Sequence, residues 1–170
     1  VTGGASGIGK SICENFAKKG VTVAVVDMNI DAAQKVVSEI KNGSTAHVCN
    51  VTDIASIDKA VAEVISVHGR IDILVNSAGM AVLDPAESVK ASDWNTTIAV
   101  NLSGTFFVSQ SVGREMLKVG KGKIINLASQ AASVALTDHV AYCASKFGVL
   151  GVTKVLASEW GGRGINVNSV

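Results

Sequence analysis

The chain alternates short apolar runs with longer stretches in which apolar residues recur every three or four positions. The short runs are rich in β-branched residues, which is typical of strands buried on both faces of a sheet. They are residues 21–26, 46–51, 71–75, 123–127 and 165–170. The longer stretches predict amphipathic helices. One helix is expected to begin near Gly7, a second to run from Asp31 as its cap to Ile40, and a third to begin at Asp53 or Ser56. Three more helices are expected at 91–100, 102–117 and 140–160.

Strands that alternate with helices, without hairpin signals, predict an α/β fold with a doubly wound parallel sheet. The 170 residues fit a single domain. A glycine loop follows Val1 directly and the last residues lie in a predicted strand, so we expect a domain truncated at both ends, with most of its first strand absent. The 15 basic and 14 acidic residues nearly balance, which argues against a nucleic-acid or membrane-surface partner.

Two further expectations follow from composition. The three cysteines are widely spaced and form no C-x-x-C pair, so we expect reduced thiols and no metal site. We also expect no segment long and apolar enough to cross a membrane.

A glycine-rich loop, TGGASGIG, occupies residues 2–9. Glycines here allow a tight turn and a close approach of the backbone to a pyrophosphate, which would rest on the N-terminus of the following helix. The same stretch also fits a P-loop, because Gly4, Gly9, Lys10 and Ser11 spell G-x-x-x-x-G-K-S. The loop by itself leaves both interpretations open.

Asp27 lies at the end of a predicted strand, 18 positions after Gly9. This is close to the roughly 20 positions at which a carboxylate binds the ribose hydroxyls of an adenosine. A carboxylate repels a 2′-phosphate, and the neighbouring Met28 and Asn29 supply no positive charge. The sequence therefore favours NAD over NADP.

Tyr142, the only tyrosine, is followed four positions later by Lys146 on a predicted helix. This spacing places both side chains on one face, where an ammonium group would lower the pKa of the phenol toward the range of a general base. Other polar or small residues follow predicted strands, at the edge of the sheet where ligands bind in this fold. They are Asn76 to Gly79 and Ser129. Asn101 interrupts a helical pattern and is expected to disturb the helix.

Together these motifs resemble the short-chain dehydrogenase/reductase family, whose fold is Rossmann-type. They are Thr2-Gly3-x-x-x-Gly7-x-Gly9, Asn76-x-Ala78-Gly79, Asn101, Ser129 and Tyr142-x-x-x-Lys146. The resemblance makes the P-loop match a coincidence and implies hydride transfer between NAD and a secondary alcohol or ketone. It implies that Tyr142 takes the alcohol proton and that Lys146 lowers the pKa of Tyr142 and binds the nicotinamide ribose. Ser129 would position the reacting oxygen, and Asn101 would hold a water that links Lys146 to solvent.

The resemblance also implies a cofactor site. Its expected residues are Gly3, Ser6, Gly7, Ile8, Gly9, Asp27, Met28, Asn50, Val51, Asn76, Ala78 and Gly79, with Tyr142 and Lys146. Gly3, Ser6 and Ile8 would line the phosphates, and Asn76 and Gly79 would line the adenosine side. Asn50 departs from the family pattern, because many members carry an aspartate before the residue that touches adenine, here Val51; weaker binding is expected. The family's C-terminal substrate lid is absent from the sequence, so we expect poor NAD binding by this stretch alone.

Gln130 and His139 lie in a polar loop and, with Ser129 and Tyr142, form the expected substrate site. Residues 128–131 and 139–146 are similar to those of bacterial polyol dehydrogenases, which implies a small polyol as the substrate. A carbonyl reductase resembling the 3-oxoacyl reductases is the alternative. A NAD-binding module without catalysis is a remote alternative, since such a module has no need of a catalytic tyrosine and lysine.

The two helices predicted at 102–117 and 140–160 carry more apolar residues than one buried face requires. These residues are Phe106, Phe107, Val112, Met116, Phe147, Leu150, Leu156 and Trp160. The family resemblance implies a homotetramer built on these helices, and internal packing of all these residues is the alternative. We expect a cytoplasmic protein.

Overall fold

The computed structural model describes residues 1–170. Five strands alternate with six α-helices. The strands are β1 (Ala24–Asp27), β2 (Thr45–Val48), β3 (Ile73–Asn76), β4 (Gly122–Asn126) and β5 (Ile165–Ser169). The α-helices are α1 (Gly7–Lys18), α2 (Ile30–Ile40), α3 (Ile54–His68), α4 (Ala91–Ile98), α5 (Thr105–Val119) and α6 (Val140–Trp160). All five predicted strands are present, each shifted by one to three residues at one or both ends.

All strand pairs are parallel, β1 with β2 and β3 with β4 and β5. Thr2 lies between the two groups and bridges Val26 of β1 on one side and Asn76 of β3 on the other. The sheet order is therefore β2, β1, the segment at Thr2, β3, β4 and β5. Strand order reverses between Thr2 and β3, which is the point where a doubly wound sheet binds its ligand. The predicted fold is confirmed.

Successive residues of a strand point to opposite faces of the sheet, and apolar side chains from the helices cover both faces. Val25 belongs to a small cluster with Cys13 of α1 and Val36 of α2. The neighbouring Val26 packs against the larger cluster on the other face. That larger cluster includes buried residues of α3, α5 and α6, among them Ile57, Val112, Met116, Leu156 and Trp160.

Several helix boundaries differ from the prediction, at the start of α2, the end of α4 and both ends of α5. Asn29, not Asp31, caps α2, because the Asn29 side chain accepts a hydrogen bond from the amide of Ala32. Asp53 caps α3 as expected, through the amide of Ala55. The helices predicted at 91–100 and 102–117 are joined by a π-helical segment, Ala99–Gly104, which is centred on Asn101. The disturbance expected at Asn101 is confirmed, and α5 begins only at Thr105.

The prediction that α5 and α6 carry more apolar residues than one buried face requires is partly wrong. Val112, Met116, Leu156 and Trp160 are all buried in the core of this chain, so they need no partner subunit. On α6, Phe147 remains half exposed.

One helical stretch, Val140–Arg163, is long and apolar enough to cross a membrane by length and composition alone. The prediction that no segment is long and apolar enough to cross a membrane is therefore wrong. The stretch includes α6, whose Ser145, Val149 and Thr153 are buried in the domain. We interpret it as a core helix.

Candidate active site at the carboxyl edge of the sheet

The glycine loop closes against the end of β3. Gly3 has φ +62°, and a Cβ on it would lie 2.8 Å from Cα of Ala78. Gly7 has φ +50° and open space around it. Ser6, Gly7 and Ile8 are exposed, and the Ser6 side chain makes no capping bond to the first amides of α1. An exposed helix N-terminus beside a tight glycine turn fits the pyrophosphate of a dinucleotide.

The P-loop alternative is wrong. In that motif the lysine side chain must reach a phosphate. Here Lys10 Nζ donates to Glu39 Oε2 of α2 at 2.7 Å and lies 3.8 Å from Glu14 Oε1. These carboxylates raise the pKa of Lys10, mainly through the bond to Glu39. Lys10 is therefore held on the outer surface of α1.

Asp27 ends β1 beside the loop. Its Oδ2 accepts a hydrogen bond from the amide of Ala5 at 3.1 Å, and its Oδ1 accepts one from the amide of Asn29 at 3.0 Å. The carboxylate thus fixes the loop while keeping further lone pairs for a ligand hydroxyl. Met28 is 73% exposed beside it.

The adenine-side residues follow β2. Asn50 is exposed, but its Oδ1 accepts from both the amide and the hydroxyl of Thr52. The oxygen that was expected to meet an adenine amino group is therefore shared with Thr52. Val51 packs inward, 3.0 Å from the position of a Cβ on Gly104 in the π-helical segment.

The side chain of Asn76, which was predicted to line the adenosine side of the cofactor site, is bonded within the sheet. It is 3% exposed, and its Nδ2 donates to Ser109 Oγ and Asn126 Oδ1, each at 2.9 Å. The side chain therefore holds the sheet together instead of facing the cleft. Next along the chain, the amides of Ser77 and Ala78 donate to the hydroxyl of Thr2 at 3.1 and 3.3 Å.

Asn101 is fully buried, and its side chain is taken up by protein partners. Its Oδ1 accepts from the amide of Met80, and its Nδ2 donates to the carbonyl of Met80, both at 2.8 Å. The same Nδ2 reaches Ser145 Oγ at 3.1 Å. The backbone carbonyl of Asn101 accepts from the hydroxyl of Thr105. Both hydrogens of Nδ2 are used in these bonds, whereas each oxygen of Asn101 keeps one lone pair, and the water expected there stays a prediction.

Lys146 lies beneath Tyr142 on α6. Its Nζ is 5.6 Å from the centroid of the Tyr142 ring and donates to the carbonyl of Leu127 at 2.6 Å. Lys146 is only 6% exposed, and this burial lowers the pKa of its ammonium group from 10.5. A Cβ on Gly79 would lie 3.9 Å from the same Nζ, so Gly79 borders this pocket.

Ser129 lies two residues beyond Leu127 and caps a short helix, Gln130–Ala132. Its Oγ accepts from the amide of Ala131 at 3.1 Å, which leaves its own hydrogen free to donate. Gln130 is exposed. The His139 ring meets the Tyr142 ring edge-on, with centroids 6.1 Å apart, so His139 borders the tyrosine.

Three residues that hold this frame were not predicted as site residues. Thr2 joins the loop to β3, Ser145 joins Asn101 to the carbonyl of Tyr142, and Asn126 pairs with Asn76. The available signal was a polar residue at a position that the strand pattern marks as buried. Asn126, at the end of an isoleucine run, is the clearest case.

Comparison with known proteins agrees with this arrangement. The family model for short chain dehydrogenases matches residues 1–170, the whole chain. The D-threitol dehydrogenase of Mycolicibacterium smegmatis is 54% identical to it, over 100% of this chain and 66% of that protein. The NAD-dependent glycerol dehydrogenase of Listeria innocua is 46% identical, over 100% and 67%. The 3-oxoacyl-[acyl-carrier-protein] reductase of Thermotoga maritima is 40% identical, over 100% and 70%.

Among solved structures, a gluconate 5-dehydrogenase from Burkholderia cenocepacia in complex with NADP and tartrate superimposes with a TM-score of 0.95. It is 32% identical and covers 99% of this chain and 67% of its own. The chain thus spans about two thirds of the length of the relatives it matches. Because the family model covers the chain from end to end and the relatives are 40–54% identical, the chain belongs to the short-chain dehydrogenase family.

Proposed function

We propose that this chain is the cofactor-binding and catalytic part of a NAD-dependent dehydrogenase that oxidises a secondary alcohol of a small polyol. The observation that carries the proposal is the buried Lys146 ammonium group beneath the ring of Tyr142, at the carboxyl edge of the sheet. A cation at that position would stabilise negative charge on the oxygen of Tyr142 during proton transfer. The names of the two relatives at 54% and 46% identity support a polyol over a 3-oxoacyl substrate.

Tyr142, Ser129 and Lys146 would each have a separate role in the transfer of the substrate proton. Tyr142 Oη would remove the proton of the substrate hydroxyl as general base. Ser129 keeps its hydroxyl hydrogen free and would donate it to the same oxygen. When bound, NAD supplies the acceptor for the hydride that leaves the carbinol carbon. Lys146, held by the Leu127 carbonyl, would stabilise the phenolate and reach the ribose of the cofactor.

The preference for NAD over NADP is part of the proposal. Asp27 places a carboxylate at the end of β1, where it would accept from ribose hydroxyls and repel a 2′-phosphate. The exposed Met28 beside it brings no positive charge. We expect kcat/KM with NAD to exceed that with NADP by at least about tenfold. A clear preference for NADP would contradict the role given to Asp27.

The experiment that tests the activity is Tyr142→Phe in the full chain, assayed for NAD reduction with threitol, glycerol and sorbitol. Loss of the general base should lower kcat by about 10²- to 10⁴-fold, while the Kd for NAD and the melting temperature stay close to those of the wild type. Near wild-type turnover would reject Tyr142 as the base. Activity of the wild type toward 3-oxoacyl thioesters but toward no polyol would select the reductase alternative, and cofactor binding without any turnover would select the binding module.

We also propose a homotetramer in the cytoplasm, with α6 in a subunit interface. Phe147 and Val155, two helical turns apart on α6, are 50% and 54% exposed. Large apolar side chains with this exposure on one helix favour a protein contact. The variant Phe147→Glu should shift the sedimentation coefficient toward that of smaller species, whereas an unchanged tetramer would place the interface elsewhere.

A further inference from the structure

A row of buried polar side chains crosses the sheet directly below the site. Asn76 and Asn126, the last residues of β3 and β4, face each other in the strand register. Asn76 Nδ2 donates to Asn126 Oδ1 at 2.9 Å. Asn126, which is fully buried, then donates from Nδ2 to Thr153 Oγ1 of α6 at 2.9 Å. The row therefore connects two strands to the helix that carries Tyr142 and Lys146.

Helix α6 is attached to the end of β4 at two points. Lys146 Nζ binds the carbonyl of Leu127, and Thr153 Oγ1 binds the side chain of Asn126, the residue before it. Lys146 and Thr153 are seven positions apart, so they lie on one face, two turns from each other. Thr153 is itself oriented, because its hydroxyl donates to the carbonyl of Val149 at 2.7 Å.

The side chain between these two attachments is apolar: Val149 lies between Lys146 and Thr153 on this face and is completely buried. Apolar contacts are non-directional, so they tolerate small shifts of a helix along a sheet. Hydrogen bonds restrict both distance and angle, and a buried donor without a partner is costly. The bond from Asn126 to Thr153 therefore restricts the position of α6 along β4, in addition to the bonds that Lys146 and Ser145 make.

We infer that Asn126 and Thr153 are positioning residues, which set the height of Lys146 and Tyr142 relative to Ser129. This inference rests on the proposed function for its catalytic meaning. Neither residue reaches the reacting atoms, since both are buried below the end of the sheet. Their effect passes through the rigid α6, over two turns from Thr153 to Lys146 and one further turn to Tyr142.

The matched variants are Thr153→Val and Thr153→Ser. Valine has nearly the shape of threonine but leaves Asn126 Nδ2 without an acceptor, whereas serine keeps the hydroxyl. Val36→Ala, in the small cluster on the opposite face, serves as a control for loss of stability alone. Thr153→Ala leaves room for a water beside Asn126 and provides a second variant in case the valine variant does not fold.

Tyr142 is the only tyrosine in the chain, so the NMR ring-proton shifts of a tyrosine-labelled sample report the surroundings of its ring without substrate or cofactor. We expect Thr153→Val to change these shifts, because Lys146 is less well placed beneath the ring. Thr153→Ser and Val36→Ala should give the same shifts as the wild type. In polyol oxidation, Thr153→Val should lose about tenfold in kcat with little change in KM, and Thr153→Ser should retain activity.

Two outcomes overturn the inference: a Thr153→Val variant with the ring-proton shifts and turnover of the wild type, or a Val36→Ala variant that changes the ring-proton shifts equally. If the valine variant does not fold, the ring-proton shifts and turnover of Thr153→Ala decide. A wild type that oxidises no polyol would reject the proposed function, but the ring-proton shifts of Tyr142 would still decide the positioning role.

Discussion

Replacing Gly9 with alanine should damage the cofactor site although it improves the helix. Gly9 lies in the first turn of α1, where alanine is favoured over glycine by about 1 kcal/mol. A Cβ at Gly9, however, would lie 2.8 Å from the carbonyl carbon of Gly3, with the oxygen closer still. An ordinary contact needs about 3.4 Å, so the Gly3 peptide must move by more than about 0.6 Å, because its oxygen is nearer than its carbon.

The Gly3 peptide has little room to move. Its own α-carbon faces Ala78, since a Cβ there would lie 2.8 Å from Cα of Ala78. The next amide, of Gly4, is bonded to the carbonyl of Val26. Binding sites lose function when displaced by about 0.5 Å, so we expect Gly9→Ala to weaken NAD binding tenfold or more, a loss of at least about 1.4 kcal/mol.

The assay is calorimetric titration of NAD, with thermal unfolding measured on the same samples. Gly151→Ala is the matched control, because it is also a helical glycine and a Cβ there meets nothing within 4 Å. It should raise stability by up to about 1 kcal/mol and leave the Kd unchanged. A folded Gly9→Ala variant with wild-type affinity for NAD would refute the argument from close packing of the loop.

Two further predictions concern buried groups. A Cβ on Gly113 would lie 2.6 Å from Cζ3 of the buried Trp160. Gly113→Ala should therefore destabilise the chain by about 1–3 kcal/mol, measured by urea unfolding. An unchanged free energy of unfolding would show that the indole can move aside. Burial holds the pKa of Lys146 below its unfolded value of 10.5, so the folded state gives up this proton first. The free energy of unfolding should therefore rise as the pH increases toward 10.5, relative to Lys146→Met. Equal slopes for the two proteins would contradict the burial argument.

Much of the fold was accessible from the sequence because strand and helix periodicities are local. The apolar run that ends at Asp27 and the isoleucine pair before Asn126 identify their strands directly. Helix ends were harder to predict, because several residues near a boundary can cap. Asn29 and Asp31 are both good caps, and only the folded backbone shows that the Asn29 side chain reaches the amide of Ala32.

The π-helical segment shows where local signals stop. The sequence indicates that Asn101 disturbs a helix, because its side chain competes with backbone bonding. The sequence does not show which residue the Asn101 side chain binds, because that residue, Met80, is 21 positions away. The same limit explains α5 and α6: their apolar residues suggested a partner subunit, but Trp160 packs against Gly113 of α5 within the chain.

Asn76 and Asn101 show the difference between residues that act at the site and residues that hold it in place. Asn76 and Asn101 follow the family motif as closely as Tyr142 and Lys146 do, yet their side chains are buried and bonded to protein. A motif records that a residue type is required at a position, and both roles impose that requirement. Burial and bonding partners distinguish the two roles, because a group that meets a ligand must keep a donor or acceptor free. Ser129, with its unspent hydroxyl hydrogen, meets that criterion and is a candidate for the chemistry. Asn76 keeps one unpaired acceptor, its Oδ1, but that atom is buried, so we assign Asn76 to the frame together with Asn126, which no motif marked.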